Sequence, residues 1–180
     1  MMDDGIDVGA FERAFGEGRV AGKSHVPAFS IFRSRDYSAI RALAIHPRVF
    51  PHISDDFTRD PKTWQPVESE FAVHLLAKDE EGIFGLGVFL ARTHCEYEAH
   101  MAFLPRSYGN LAQSSFKTMI AWMWQNSTAR RLIGEIERSN TLAIRFARRA
   151  GFEIYGINRK SKLKGGLLVD QVAMGISKPE

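Results

Sequence analysis

Apolar positions along this chain alternate in several short runs, and in one long run they recur at three and four. Residues 28–33 alternate apolar and polar, as a strand does. Asp36 is placed to cap a helix whose Ile40, Leu43 and Ala44 share one face, and Pro47 and Pro51 end it. Residues 54–69 are polar, contain Pro61 and Pro66, and predict an irregular loop of a length that is often functional. Three strands are expected next, over 71–77, 83–92 and 95–104, with Asp79, Glu80, Glu81 and Gly82 turning the chain between the first two. Residues 111–124 predict a helix, because Phe116, Met119, Ile120 and Met123 make one stripe. A strand follows over 131–137. Ser139 or Asn140 caps a helix that runs to about Ala150, and Gly151 ends it. The chain closes on a hairpin, 153–160 and 167–176, turning at Lys164, Gly165 and Gly166.

Strands in runs, mixed with strand–helix–strand units, predict an α/β domain with a mixed sheet and helices on both faces. Gly5, Gly9, Gly16, Gly18 and Gly22 break up residues 1–27, where only a short helix over 10–15 is expected. The reading is a flexible arm, 1–27, ahead of one folded domain, 28–180, and a 180-residue chain suits a single domain.

Composition changes this picture little. With 24 basic and 21 acidic residues the net charge is +3, too weak to argue for nucleic acid. No apolar run approaches the roughly 18 residues of a membrane span. Asp3 and Asp4 stand where a secretory leader would carry positive charge and then an apolar run. Cys95 is the only cysteine, so no internal disulfide can form, and a reducing, cytoplasmic setting is expected. Cys95 reads as a half-buried residue without a catalytic partner. The histidines His25, His46, His52, His74, His94 and His100 lack zinc-ligand spacing, and no metal is expected.

Chemistry enters at residues 103–112. Phe103, Leu104, Pro105, Arg106, Ser107, Tyr108, Gly109, Asn110 and Leu111 carry a strand end through a turn into a helix. A helix N-terminus offers unpaired N–H groups and a positive dipole end, which suit a diphosphate. Gly109 lets the backbone approach a phosphate, and Arg106 adds a forked cation.

This stretch resembles the pyrophosphate loop of the GNAT superfamily of N-acetyltransferases, Arg/Gln-x-x-Gly-x-Gly/Ala. Asn140, Ala143, Gly151 and Phe152 resemble its second signature at matching offsets. The resemblance spans residues 28–178. Its narrower likeness is to small phage-encoded proteins of this fold, some associated with head assembly. It implies a mostly antiparallel sheet of six to seven strands and acetyl-CoA or coenzyme A as cofactor. It also implies direct transfer of the acetyl group to an amine. The cofactor would be held by residues 103–104 and 106–111 with Asn140 and Phe146, and a backbone amide near Phe103 and Leu104 would face the thioester carbonyl. The strands over 95–104 and 131–137 would lie side by side and splay near Leu104 to admit the pantetheine arm. Either Leu111 replaces the motif's Gly/Ala or one residue is missing and Ala112 serves, and both readings predict a tighter or bulkier loop. Ala147 stands where many members have a tyrosine acid, leaving Tyr108 and Tyr155 as replacements.

For a base, Glu98 and His100 lie two apart on one strand and so share a face, with Glu96 extending the row. They read equally as ion-paired or packed strand residues. The acceptor, a small molecule or a protein amine, is expected between His52, Asp55, Asp56 and Phe57 and the C-terminal hairpin, where acids would suit a cation. Arg159, Lys160, Lys162 and Lys164 form a basic hairpin tip, a solvated turn or a contact for an acidic partner. The alternative to an enzyme is a non-catalytic phage protein of the same fold, acting in virion assembly or binding a host protein.

Overall fold

The computed structural model describes residues 27–180, so the glycine-broken arm and the helix expected over 10–15 lie outside the described residues. The elements are β1 (Ser30–Arg33), α1 (Tyr37–Ala44), α2 (Phe50–Ile53), β2 (Ala72–Asp79), β3 (Gly82–Ala91), β4 (Glu96–Phe103), α3 (Asn110–Asn126), β5 (Arg131–Glu137), α4 (Thr141–Arg149), β6 (Glu153–Lys164) and β7 (Leu167–Ser177). A 3₁₀ turn, Pro105–Ser107, links β4 to α3. The Asp36 carboxylate accepts the Ala39 N–H at 3.0 Å and so starts α1 as its sequence predicts. Pro51 does not end α1. That helix stops at Ala44, and Pro51 lies in the first turn of α2, where a missing N–H is harmless.

The seven strands form one sheet in the order β1-β2-β3-β4-β5-β7-β6. Every neighbouring pair is antiparallel except β4 and β5. The larger core lies on one face, where α3 contributes Phe116, Met119, Ile120 and Met123 and α4 contributes Ala147. The stripe read from sequence is thus buried, and each such side chain is worth about 1.5–3 kcal/mol. The Phe116 ring stacks on Phe146 at 5.3 Å and on Phe152 at 5.6 Å, and Phe103 meets Phe146 edge-on at 5.7 Å. A Cβ on Gly85 would come within 2.7 Å of the Phe103 ring, so only glycine lets that ring lie across β3. The opposite face carries the second core, where Ile40, Leu43 and Ala44 of α1 cover Leu76, Leu86 and Ala102. No helix among the described residues is long and apolar enough to cross a membrane.

The parallel pair positions everything that follows. β4 and β5 are joined only at Glu96–Arg131, Tyr97–Leu132 and Glu98–Ile133. Beyond Glu98, β4 stays with β3 as far as Phe103–Gly85, while β5 stays with β7 as far as Glu137–Gln171. Each strand follows its antiparallel neighbour and the two halves of the sheet part. The opening expected near Leu104 therefore begins five residues earlier, at Ala99. Hydrophobic alternation does not report a lost pairing, because the buried face is unchanged by it.

Candidate active site

Two features flank this opening. On the larger-core side stands the N-terminus of α3. Gly109 occupies its cap position at φ 96°, with no side-chain cap and nothing within 4 Å of where a Cβ would be. The first backbone bond of the helix runs from Gln113 N–H to the Gly109 carbonyl at 3.1 Å. The N–H groups of Asn110, Leu111 and Ala112 precede it and have no intrahelical partner, so they form a positive cradle. Leu111, the departure from the motif, turns its side chain into the core and does not crowd this cradle.

Arg106 does not reach toward the cradle. Its guanidinium grips Asp79 with two bonds, Nη1 to Oδ2 at 2.6 Å and Nη2 to Oδ1 at 2.9 Å, and Nη2 also donates to the Gly82 carbonyl at 3.0 Å. The Phe84 ring lies beneath it at 5.4 Å. The arginine bonded to it is the main reason the Asp79 carboxyl is held below the usual carboxylate range. Arg106 therefore fastens the β4–α3 turn to the β2–β3 turn. Ser107 is buried and donates to the Leu104 carbonyl at 2.8 Å, while Tyr108 is exposed beside the cradle. Asn140 caps α4 through the Ala143 N–H at 3.1 Å, and Phe146 belongs to the aromatic stack.

Of the two amides expected to face a carbonyl, that of Leu104 is engaged, donating to Phe84 at 2.8 Å. Backbone N–H direction alternates along a strand. Leu104 points toward β3, so Ala99, Met101 and Phe103 point toward the opening, where β5 has withdrawn. Tyr155 lies on β6 with its ring 5.2 Å from the guanidinium of Arg131, which stands where β4 and β5 are still paired. Ala147, in the position of the usual tyrosine, is buried in the core.

On the other face, β4 alternation brings Glu98 and His100 together. Glu98 Oε1 lies 3.4 Å from His100 Nε2, and its Oε2 accepts from Arg92 at 2.6 Å. Arg92 escaped the sequence reading. The tight turn after β3, where Arg92 N–H bonds the Glu96 carbonyl, was the signal that it returns beside Glu98. The His100 side chain is 52% exposed but sits among surrounding protein. Desolvation by neighbouring protein is the main cause that lowers its pKa; Glu98 opposes this, while Lys162 and Arg92 add to it. Glu96 pairs instead with Arg131 at 3.4 Å.

The acids expected to attract a cation are engaged. Asp56 accepts the Gly165 and Gly166 N–H groups at 2.9 and 2.7 Å and pairs with Arg59 at 2.9 Å. Asp55 Oδ1 accepts Phe57 N–H, Thr58 N–H and the Thr58 hydroxyl. The loop after α2 is thereby buttoned to the β6–β7 turn; Lys164 also donates to the Pro51 carbonyl at 3.4 Å and pairs with Glu137 of β5 at 3.2 Å. β6 runs through Lys164, so Arg159 to Lys164 line a strand and the tip is Gly165–Gly166. Cys95 is half-buried, with Thr93 Oγ1 3.7 Å from its Sγ. Among the described residues, no group of His, Cys, Asp and Glu is arranged to hold a metal ion.

Solved structures share this architecture. A spermidine N-acetyltransferase from Vibrio cholerae, in complex with CoA and spermine, superposes with a TM-score of 0.65 over 83% of this chain and 95% of its own, at 14% identity. An acetyltransferase of the GNAT family from Streptococcus pneumoniae gives 0.66 over 84% and 100%, at 19% identity. The chain has the GNAT fold. A ribosomal-protein-S5-alanine acetyltransferase from Vibrio fischeri agrees, at 0.64 over 89% and 100% with 13% identity. No protein-family model matches the chain, and no curated protein matches it by sequence. The narrower likeness to phage proteins draws no support from these structures. The parting of β4 and β5, the open amides of β4 and the uncapped α3 N-terminus together fit the coenzyme A that the GNAT fold implies.

Proposed function

We propose that this chain is an acetyl-CoA-dependent N-acetyltransferase in which the amine attacks directly. One observation carries the reading: the sheet opens after Glu98–Ile133, with the bare N-terminus of α3 on one side and the Glu98–His100 pair on the other. The amides of Asn110, Leu111 and Ala112 would hold the diphosphate, and those of Ala99, Met101 and Phe103 the pantetheine arm. Acetyl-CoA supplies an activated acyl carbonyl. The amine enters from the α1 face.

His100 is the base. Its lowered pKa keeps the imidazole neutral at neutral pH and able to accept a proton. Its Nε2 lies 3.4 Å from Glu98 Oε1, close enough for the carboxylate to orient the ring. Glu98 is the positioning residue, itself held by Arg92. The test is thiol release from acetyl-CoA across a panel of primary amines. General-base help is worth about a hundred- to ten-thousand-fold, so His100→Ala should lose turnover in that range with the acetyl-CoA Kd unchanged. Undiminished turnover in His100→Ala would remove the imidazole from the reaction.

A further inference from the structure

The charge pattern around the acceptor side limits what the amine can be attached to. We infer that the acceptor carries a carboxylate close to its amine, as a free amino acid does, and that Lys162 receives that carboxylate. This rests on the transferase reading above.

The carboxylates of this face are all engaged within the chain. Glu98 holds Arg92 and faces His100, Glu137 pairs with Lys164 and accepts from Ser139, and Glu135 accepts from Asn158 at 3.1 Å. Asp56 serves the hairpin amides and pairs with Arg59. Glu98, Glu137 and Asp56 already carry a cationic partner, and Glu135 is bonded only to the neutral Asn158 amide, so this face offers a polycationic amine few free counter-charges.

Lys162 is in the opposite condition. It is half-buried, and among the described residues no carboxylate lies within 4 Å of it. Its direction follows from β6. Lys164 reaches Glu137 and the Pro51 carbonyl on the α2 side of the sheet, and Lys162, two residues earlier, shares that side. The register places it opposite Val169, beyond a bulge between Asn158 and Lys162. Lys164 reaches Glu137 on the β5 edge of the opening, which brings this end of β6 to that edge, and the charge of Lys162 is felt by both His100 and Glu137. A partly desolvated ammonium beside the base gains from an arriving anion. That contact would also hold the amine next to the imidazole.

The experiment compares the free L-amino acids with their carboxamides, and with spermidine, in the thiol-release assay at saturating acetyl-CoA. The carboxamide keeps the shape and removes the charge. It also has the less basic amine, which favours it chemically, so a preference for the acid must come from the protein. At least one amino acid should exceed its amide by about ten- to a hundred-fold in kcat/KM, the scale of one charge-assisted contact. Lys162→Met should raise the KM for that amino acid by a similar factor, with kcat and acetyl-CoA Kd nearly unchanged, and Lys162→Arg should restore most of it. Equal use of acid and amide, preference for spermidine, no turnover of any amino acid, or a Lys162→Met enzyme with unaltered KM would each overturn the inference. In those cases calorimetric binding of acetyl-CoA would still stand, whereas its absence would remove the transferase reading and this inference together.

Discussion

Arg106 and Asp79 form a two-pronged ion pair, with oxygens at 2.6 and 2.9 Å from the guanidinium, across 27 residues of sequence. Asp79 is almost fully buried there and Arg106 partly so. The motif arginine thus holds the turn that presents Gly109. Arg106→Ala leaves a buried carboxylate without its partner, so it should destabilise the fold by about 1.5–3 kcal/mol. Asp79→Asn should cost a similar amount, and the double variant no more than the larger single loss. Denaturant melts of the three variants check this. Strict additivity would show that the two side chains act independently.

Gly109 has φ 96°, a conformation that L side chains rarely adopt, with open space around it. Gly109→Ala should therefore strain the backbone by roughly 1–3 kcal/mol and misdirect the amides that follow. Calorimetry should show weaker acetyl-CoA binding together with a lower Tm. Retained affinity would place the diphosphate elsewhere.

The sequence carried much of the fold and less of the site. The strand 131–137 stands at its expected bounds, Asp36 caps α1, and Gly165–Gly166 turns the last hairpin, because each rests on local chemistry. Glu98 and His100 share a face because alternation is also local. Partners are another matter. Asp56 meets Gly166 across 110 residues and Arg106 meets Asp79 across 27, and no periodicity reports such contacts. That is why the loop acids read as bait for a cation and Arg106 as a phosphate ligand.

His74 is 3% exposed, edge-on to Tyr37 at 5.7 Å, and its Nε2 has no partner. Burial is the main cause that lowers its pKa, with Arg33 adding to it. The unfolded chain then binds the proton more readily below about pH 6.5, so this residue makes the fold less stable as pH falls from there toward the lowered value. His74→Leu should flatten the dependence of the denaturation midpoint between pH 7 and 5. It should also recover part of the roughly 1–3 kcal/mol that an unsatisfied buried polar atom costs. An unchanged pH slope would show that another group sets it.

With His100 as the proposed base, the pH profile of catalysis has a defined sign. A base with a lowered pKa stays neutral further into acid, so the acidic limb of kcat/KM should fall below about pH 6.5, the ordinary histidine value. Glu98→Gln removes the contribution that raises this pKa and should shift the limb to still lower pH, with turnover reduced. A shift to higher pH would contradict the arrangement.

Coenzyme A is expected to enter where β4 and β5 part. Calorimetric titration of the protein with acetyl-CoA, beside Gly109→Trp as a blocked control, tests this directly. The wild-type chain should bind one equivalent with Kd below about 1 mM, some 4 kcal/mol or more, and the blocked variant should bind at least tenfold more weakly. No heat of binding at that concentration, or equal binding by the two proteins, would contradict it.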